Sequence, residues 1–196
     1  MAVFHLVRHG HHNWLQRGFP GRSPGVSLSE VGVVDAVKVS EWLAHLPISK
    51  VISSPLERAQ QTASQLARRL GIAIQTEPDF NEFDFGQWSG LSFPELHAQP
   101  GWATWQSARS LCRPPGGETI VEVQARVVSL LSRLAESHGD KHIALFGHGD
   151  PIKTALVYGL GAPLDNVTRV EIEPASVSTV EITAKGVRVL RVNRVV

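Results

Sequence analysis

Twice in this chain a short apolar run stops abruptly at a histidine set beside glycine. Val3 to Val7, broken only by His5, ends in Arg8-His9-Gly10, and His142 to Phe146 ends in Gly147-His148-Gly149. A short apolar run bounded by charge and glycine reads as a buried strand feeding a loop. Strands buried along their whole length need cover on both faces, as in a parallel sheet. The stretches between supply that cover. After Ser27, which forms a capping-box pattern with Glu30, the residues Ala36, Val39, Leu43 and Leu46 recur at helical spacing up to Pro47. Lys50 to Ser53 reads as a second strand. Ser54-Pro55-Leu56-Glu57 then has a cap, a first-turn proline and an acidic third position. Leu56, Ala59, Ala63, Leu66 and Leu70 form the apolar face of that helix, and Gly71 closes it. Ile72 to Thr76 reads as a third strand, while Ile120 to Leu134 and Ile152 to Leu160 read as helices.

This alternation predicts an α/β fold: a three-layer sandwich with a mostly parallel sheet and helices on both faces. The tail holds alternating runs at 168–173, 177–182 and 187–192, read as edge strands that include an antiparallel pair. Residues 80–118 break the rhythm with Trp88, Trp102, Trp105 and several prolines. The expectation is one domain over 1–196, with about 88–118 as an excursion over the active site. A chain of 196 residues buries roughly 70% of its unfolded surface and needs no disulfide or metal staple. Its single cysteine, Cys112, is compatible with a reducing compartment. A net charge of +1 argues against a nucleic-acid binder. No charged leader and no membrane-length apolar run is present, so a cytoplasmic location without membrane attachment is expected.

In open α/β sheets ligands bind beyond the carboxyl ends of the strands, where both histidine tripeptides fall. A neutral imidazole attacks phosphorus when one nitrogen is free and the other is fixed as N–H by a carbonyl. Arg8 offers a fork that matches phosphate oxygens, and Gly10 lets backbone approach a ligand. His148 precedes a helix whose N-terminus favours an anion. Arg58, one turn into its helix, is either a solvated surface arginine or a phosphate clamp. Glu82 lies in Asn81-Glu82-Phe83-Asp84-Phe85-Gly86-Gln87-Trp88-Ser89-Gly90. Aromatic neighbours can desolvate a carboxyl and keep it protonated, as a general acid must be.

Together these segments resemble the histidine phosphatase superfamily, also called the phosphoglycerate-mutase-like family. The resemblance rests on Leu6-Val7-Arg8-His9-Gly10, Ser53 to Ala63, Glu82 to Gly90, Gly116-Gly117-Glu118-Thr119 and Phe146-Gly147-His148-Gly149-Asp150, in the family's order. It implies that His9 is the nucleophile, that Arg8, Arg58, His148 and the Gly149 backbone bind phosphate, and that Glu82 donates the proton. It also implies a metal-independent enzyme with no cofactor, acting on a small phosphorylated metabolite. A homodimer is left open. Three positions depart from the family pattern. His11 and His12 stand where Glu or Gln and then Thr are usual, and Leu15 stands where an Asn commonly helps hold the phosphoryl group. The extra histidines could add positive charge at acidic pH.

Three rival readings remain. A mutase of the same family would return the phosphoryl group to a sugar acid, although the compact chain favours hydrolysis. A metal hydrolase would use His9, His11, His12 and Asp150, although neighbouring histidines are poor simultaneous ligands. An inactive phospho-ligand-binding module would need no chemistry, yet every matching catalytic position is occupied. Arg109 and Arg113 are candidates for a second phosphate or a carboxylate, or are simply solvated. Trp14 and Phe19 could meet an organic group or pack in the core.

Overall fold

The computed structural model describes residues 1–196. In chain order its elements are β1 (Ala2–Arg8), β2 (Gly18–Phe19), α1 (Glu30–Leu43), β3 (Ile48–Ser53), α2 (Glu57–Leu70), β4 (Ile74–Thr76) and β5 (Leu91–Ser92). There follow α3 (Phe93–His97), α4 (Trp102–Ser107), α5 (Ile120–His138), β6 (His142–Gly147), α6 (Gly149–Gly159), β7 (Val177–Thr183) and β8 (Gly186–Arg194). Six strands form one sheet in the order β4-β3-β6-β1-β7-β8. The first four are parallel, and β7 and β8 add on antiparallel beyond β1. The two-residue β2 and β5 pair separately.

Alternation along the strands divides the core in two. Phe4, Leu6, Ile52, Ile143 and Leu145 face Val123, Val127 and Leu130 of α5 and Ile152 and Leu156 of α6. Val7, Val51, Ala144 and Phe146 face Val39 and Leu43 of α1 and Ala63 and Leu66 of α2. Period-two alternation between two apolar layers explains why the strands read as unbroken apolar runs. The three-layer α/β expectation is met.

The local corrections have physical reasons. α1 is capped by Ser29, whose hydroxyl accepts the Gly32 N–H, and not by Ser27. α2 begins at Glu57 with Leu56 as its N-cap, which has no side-chain acceptor, while Ser54 lies two residues earlier and contacts His148. The 168–173 run is not a strand. It leaves a 3-10 turn at Leu164–Arg169 and crosses the end of β1, where the Ile172 carbonyl accepts from Arg8 Nη1 at 2.5 Å. β7 is interior, paired on both sides, so only β8 is an edge strand of that pair. Gly71 closes α2 in the left-handed conformation, as expected.

The 88–118 segment joins the larger apolar cluster through Trp88, Leu96, Trp102 and Trp105, each at most 3% exposed. No helix is long and apolar enough to cross a membrane.

Candidate active site

β1 and β6 run side by side and end together, so Arg8-His9 and His148 emerge at adjacent points. The His9 N–H still donates to the Gly147 carbonyl at 3.0 Å, which extends the ladder by one residue into the loop. The loop then meets α1 backbone to backbone. A Cβ on Gly10 would lie 2.5 Å from the Gly32 carbonyl oxygen, and one on Gly32 would lie 2.0 Å from that of His11. Only glycine at both places permits that approach. The Gly10 N–H donates to Thr62 Oγ1, whose hydroxyl donates to the Arg58 carbonyl. The His9 loop is thereby tied to α2.

His9 is 2% exposed, and its Nδ1 lies 2.8 Å from the Gly10 carbonyl oxygen. A carbonyl can only accept, so Nδ1 carries the proton and the Nε2 lone pair is free. Burial, and then the guanidiniums of Arg58 and Arg8, hold His9 well below the ordinary histidine range. At neutral pH it is an uncharged imidazole.

Around it, buried donors lack partners. Arg8 Nε, Arg58 Nε and Nη1, and His148 Nδ1 have no hydrogen bond, while Arg58 Nη2 is held by the Gly21 carbonyl at 2.8 Å. Ser54 Oγ lies 2.8 Å from His148 Nε2 and 3.4 Å from Asn81 Oδ1, and it accepts the Leu56 N–H. Its single proton is better placed in the shorter contact, which leaves the His148 proton on Nδ1. Burial, then Arg58, His9 and Arg8, keep His148 neutral. Gly149 opens α6 beside Arg8, and the first N–H groups of a helix have no internal partner. Unsatisfied buried donors are costly, and an oxyanion is what would satisfy several at once.

Glu82 Oε2 lies 3.8 Å from His148 Nδ1, and Oε1 accepts the Phe83 N–H at 2.9 Å. Burial, then the neighbouring Asp150 carboxylate, outweigh Arg58 and Arg8 and raise Glu82 to about 7. It is substantially protonated at neutral pH. Its main chain is clamped from behind. The Glu82 carbonyl accepts from Arg22 Nε at 2.9 Å and Arg126 Nη2 at 3.1 Å, and Glu118 accepts from both arginines.

Arg8, His9, Arg58, Glu82 and Gly149 line a cavity of about 1080 Å3, and His148 lies behind it with its ring centroid 5.3 Å from that of His9. All six residues singled out in the sequence therefore converge. Other expectations divide. Phe93 and Arg109 are the 88–118 residues that reach the cavity. Arg109 is paired with Asp150 at 3.0 Å and stacked 4.0 Å from the Trp105 ring centroid. Arg113 pairs with half-exposed Glu122 outside the cavity. Trp14 and Phe19 line it. His11 pairs with Asp35 at 2.5 Å, whereas His12 is buried. His12 does not add charge in the ordinary acidic range, because burial, then Arg58 and Arg8, push it down to about 4. His9, His11, His12 and Asp150 do not form a metal centre: no three His, Cys, Asp or Glu side chains are grouped to hold an ion. Ser54, Arg22, Arg126 and Glu118 were not singled out as site residues. Ser54, within Ser53 to Ala63, and Glu118, within Gly116-Gly117-Glu118-Thr119, lie in segments marked in the sequence, whereas Arg22 and Arg126 do not.

The model of the histidine phosphatase superfamily (branch 1) matches residues 4–195. A bifunctional protein of Mycobacterium tuberculosis is 35% identical over 196 residues, which cover 95% of this chain and 52% of that protein. The chain thus spans about half the length of the first curated relatives it matches. Phosphoserine phosphatase 1 of Hydrogenobacter thermophilus is 25% identical over 198 residues, covering 98% of this chain and 92% of that one. Among solved structures, a mycobacterial glucosyl-3-phosphoglycerate phosphatase superposes with a TM-score of 0.88 at 25% identity, covering 97% of this chain and 98% of its own.

Proposed function

The chain belongs to the histidine phosphatase superfamily (branch 1), and from that premise we propose that it hydrolyses small phosphomonoesters through a phosphohistidine on His9. The observation that carries this reading is that Arg8, Arg58 and His148, gathered beside a neutral His9, each keep a buried donor without a partner. Phosphoryl transfer has a loose transition state, so catalysis is mainly positioning and neutralisation of charge. Two guanidiniums, one imidazole N–H and the start of α6 supply both without a metal ion or cofactor.

In the first step His9 Nε2 bonds to phosphorus as the ester P–O bond breaks. The bonding pair leaves on the ester oxygen, which takes the Glu82 proton. In the second step the Glu82 carboxylate takes a proton from water as the water oxygen bonds to phosphorus. The N–P bond breaks, its pair returns to Nε2, and Glu82 is again protonated. A group held near pKa 7 serves both steps at neutral pH. The phosphatase names of two relatives support hydrolysis as the outcome. The cavity leaves room for an organic group well beyond the phosphate.

Rapid quenching with labelled substrate should trap an acid-labile phosphoenzyme, and His9→Ala should abolish it. Label retained on the His9→Ala protein would refute the assignment.

A further inference from the structure

The cavity holds a third histidine whose proton is placed opposite to that of His9. His12 is 6% exposed and lines the same cavity, with its ring centroid 4.9 Å from the His9 ring. Its Nδ1 accepts the Trp14 backbone N–H at 3.2 Å, inside a turn that the Leu15 N–H closes onto the His12 carbonyl at 3.1 Å. A nitrogen that accepts an N–H has its lone pair in that bond, so in the neutral ring the proton sits on Nε2. Nε2 makes no hydrogen bond within the protein. Burial and the two arginines keep the ring neutral. His9 thus turns a lone pair toward the cavity, and His12 has an N–H with no partner. Carrying a proton, His12 Nε2 cannot attack phosphorus and can only donate.

We propose that His12 is a catalytic residue whose Nε2–H binds a non-bridging oxygen of the phosphoryl group as it transfers to His9. This assignment rests on the reading of His9 as nucleophile. Leu15, which lines the cavity from the same turn, offers no polar atom, and Asn13 is exposed while Trp14 is partly buried. His12 is the buried polar side chain that this turn places at the cavity. A neutral donor suits the place. A further fixed cation would attract the dianionic substrate and the transferred group alike, whereas a directional N–H selects the geometry of the transition state. Loss of one preorganised donor of this kind costs about 10²-fold in rate.

The test uses the whole chain and three proteins: wild type, His12→Phe and His12→Gln. Phenylalanine keeps the ring and removes both nitrogens. Glutamine can accept from Trp14 and still donate. The single-turnover rate of phosphoenzyme formation and the affinity for vanadate, an analogue of the phosphoryl transition state, should fall together by about 10²-fold in His12→Phe. The KM should move little, and His12→Gln should recover part of both losses. A folded His12→Phe protein with burst rate and vanadate affinity within about twofold of wild type overturns the proposal. If that variant does not fold, the nitrogen NMR of labelled wild type decides. His12 should show a protonated Nε2 and a bare Nδ1, and the Nε2–H resonance should move on saturation with vanadate. An Nδ1–H tautomer, or a resonance indifferent to vanadate, overturns it. Absence of any phosphoenzyme in wild type overturns the His9 reading and this one together. A normal phosphoenzyme in wild type and His12→Phe alike overturns this one alone.

Discussion

Glu82→Gln should make the protein more stable at alkaline pH and leave it unchanged at acid pH. In the folded chain the carboxyl is raised from 4.5 to about 7, chiefly by burial and then by Asp150. Its side chain is 14% exposed, so little solvent screens that cost. Between those two values the unfolded chain gives up the proton and the folded chain keeps it. Folded protein then binds more protons than unfolded, so stability falls as pH rises through this window. Each tenfold step in proton affinity is worth about 1.4 kcal/mol, so by pH 8 the wild type has lost about 3 kcal/mol. Glutamine matches the protonated form and can still accept the Phe83 N–H. For a chain of this length the gain corresponds to about 6–12 °C in Tm. Buried His9, His12 and His148, all held below the ordinary histidine value, weaken the wild type on the acid side, but they are common to both proteins and cancel in the difference. Thermal melts of both proteins from pH 4.5 to 8.5 would measure it. A Tm difference that stays flat with pH, or that favours wild type above pH 7, would refute the reasoning.

The same variant should separate leaving groups. In the burst phase Glu82→Gln should slow phosphoenzyme formation about 10²–10⁴-fold for alkyl phosphates and far less for nitrophenyl phosphate, which leaves without a proton. Equal losses would move the acid elsewhere, with Asp84 the nearest candidate. Gly32→Ala forces a Cβ to 2.0 Å from the His11 carbonyl oxygen. It should cost about 1–3 kcal/mol in denaturant unfolding and displace the His9 loop, with a fall in kcat; a neutral result would contradict the close contact. Exhaustive dialysis against a chelator should leave phosphatase activity intact, and loss that one divalent ion restores would favour a metal enzyme.

The layers and the strand-end residues Arg8, His9 and His148 were legible from local signals, whereas Arg58, Glu82 and Gly149 were assigned by the family resemblance. Apolar runs that end in Arg8-His9-Gly10 and Gly147-His148-Gly149 announce strand ends, and parallel pairing brings such ends together. What stayed hidden depends on tertiary partners. Ser54 has the residue type and spacing of a helix cap, and only the approach of β6 shows that its hydroxyl serves His148. Arg22 sits among glycines and prolines like any loop arginine, and only α5 and the Glu82 segment reveal it as a clamp. His11 and His12 are identical neighbours in sequence. One is paired with Asp35 and the other buried beside His9, a difference made by the turn at Leu15 and not by composition. The 168–173 run alternates as a strand does, but it starts in a 3-10 turn, its Ile172 carbonyl accepts from the Arg8 side chain and its Glu173 N–H donates to Asn193 Oδ1.

The aromatic packing of the 88–118 segment limits how the cavity can move. Trp88, Leu96, Trp102 and Trp105 are buried in the same cluster as the sheet and α5. Trp88, Trp102 and Trp105 also pack on one another, so lifting the segment would expose the faces turned to the rest of the chain, at no more than about 1.5–3 kcal/mol each. The upper limit, about 6–12 kcal/mol, is comparable to the stability of an ordinary domain. The segment is therefore expected to stay seated during turnover and not to swing as a hinged cover. On the proposed function, substrate enters a cavity, lined in part by Trp14, Leu15 and Val31, whose Phe93 and Arg109 wall stays in place. Selection among phosphate esters is then a matter of fixed aperture and shape, and turnover should show no slow gating step.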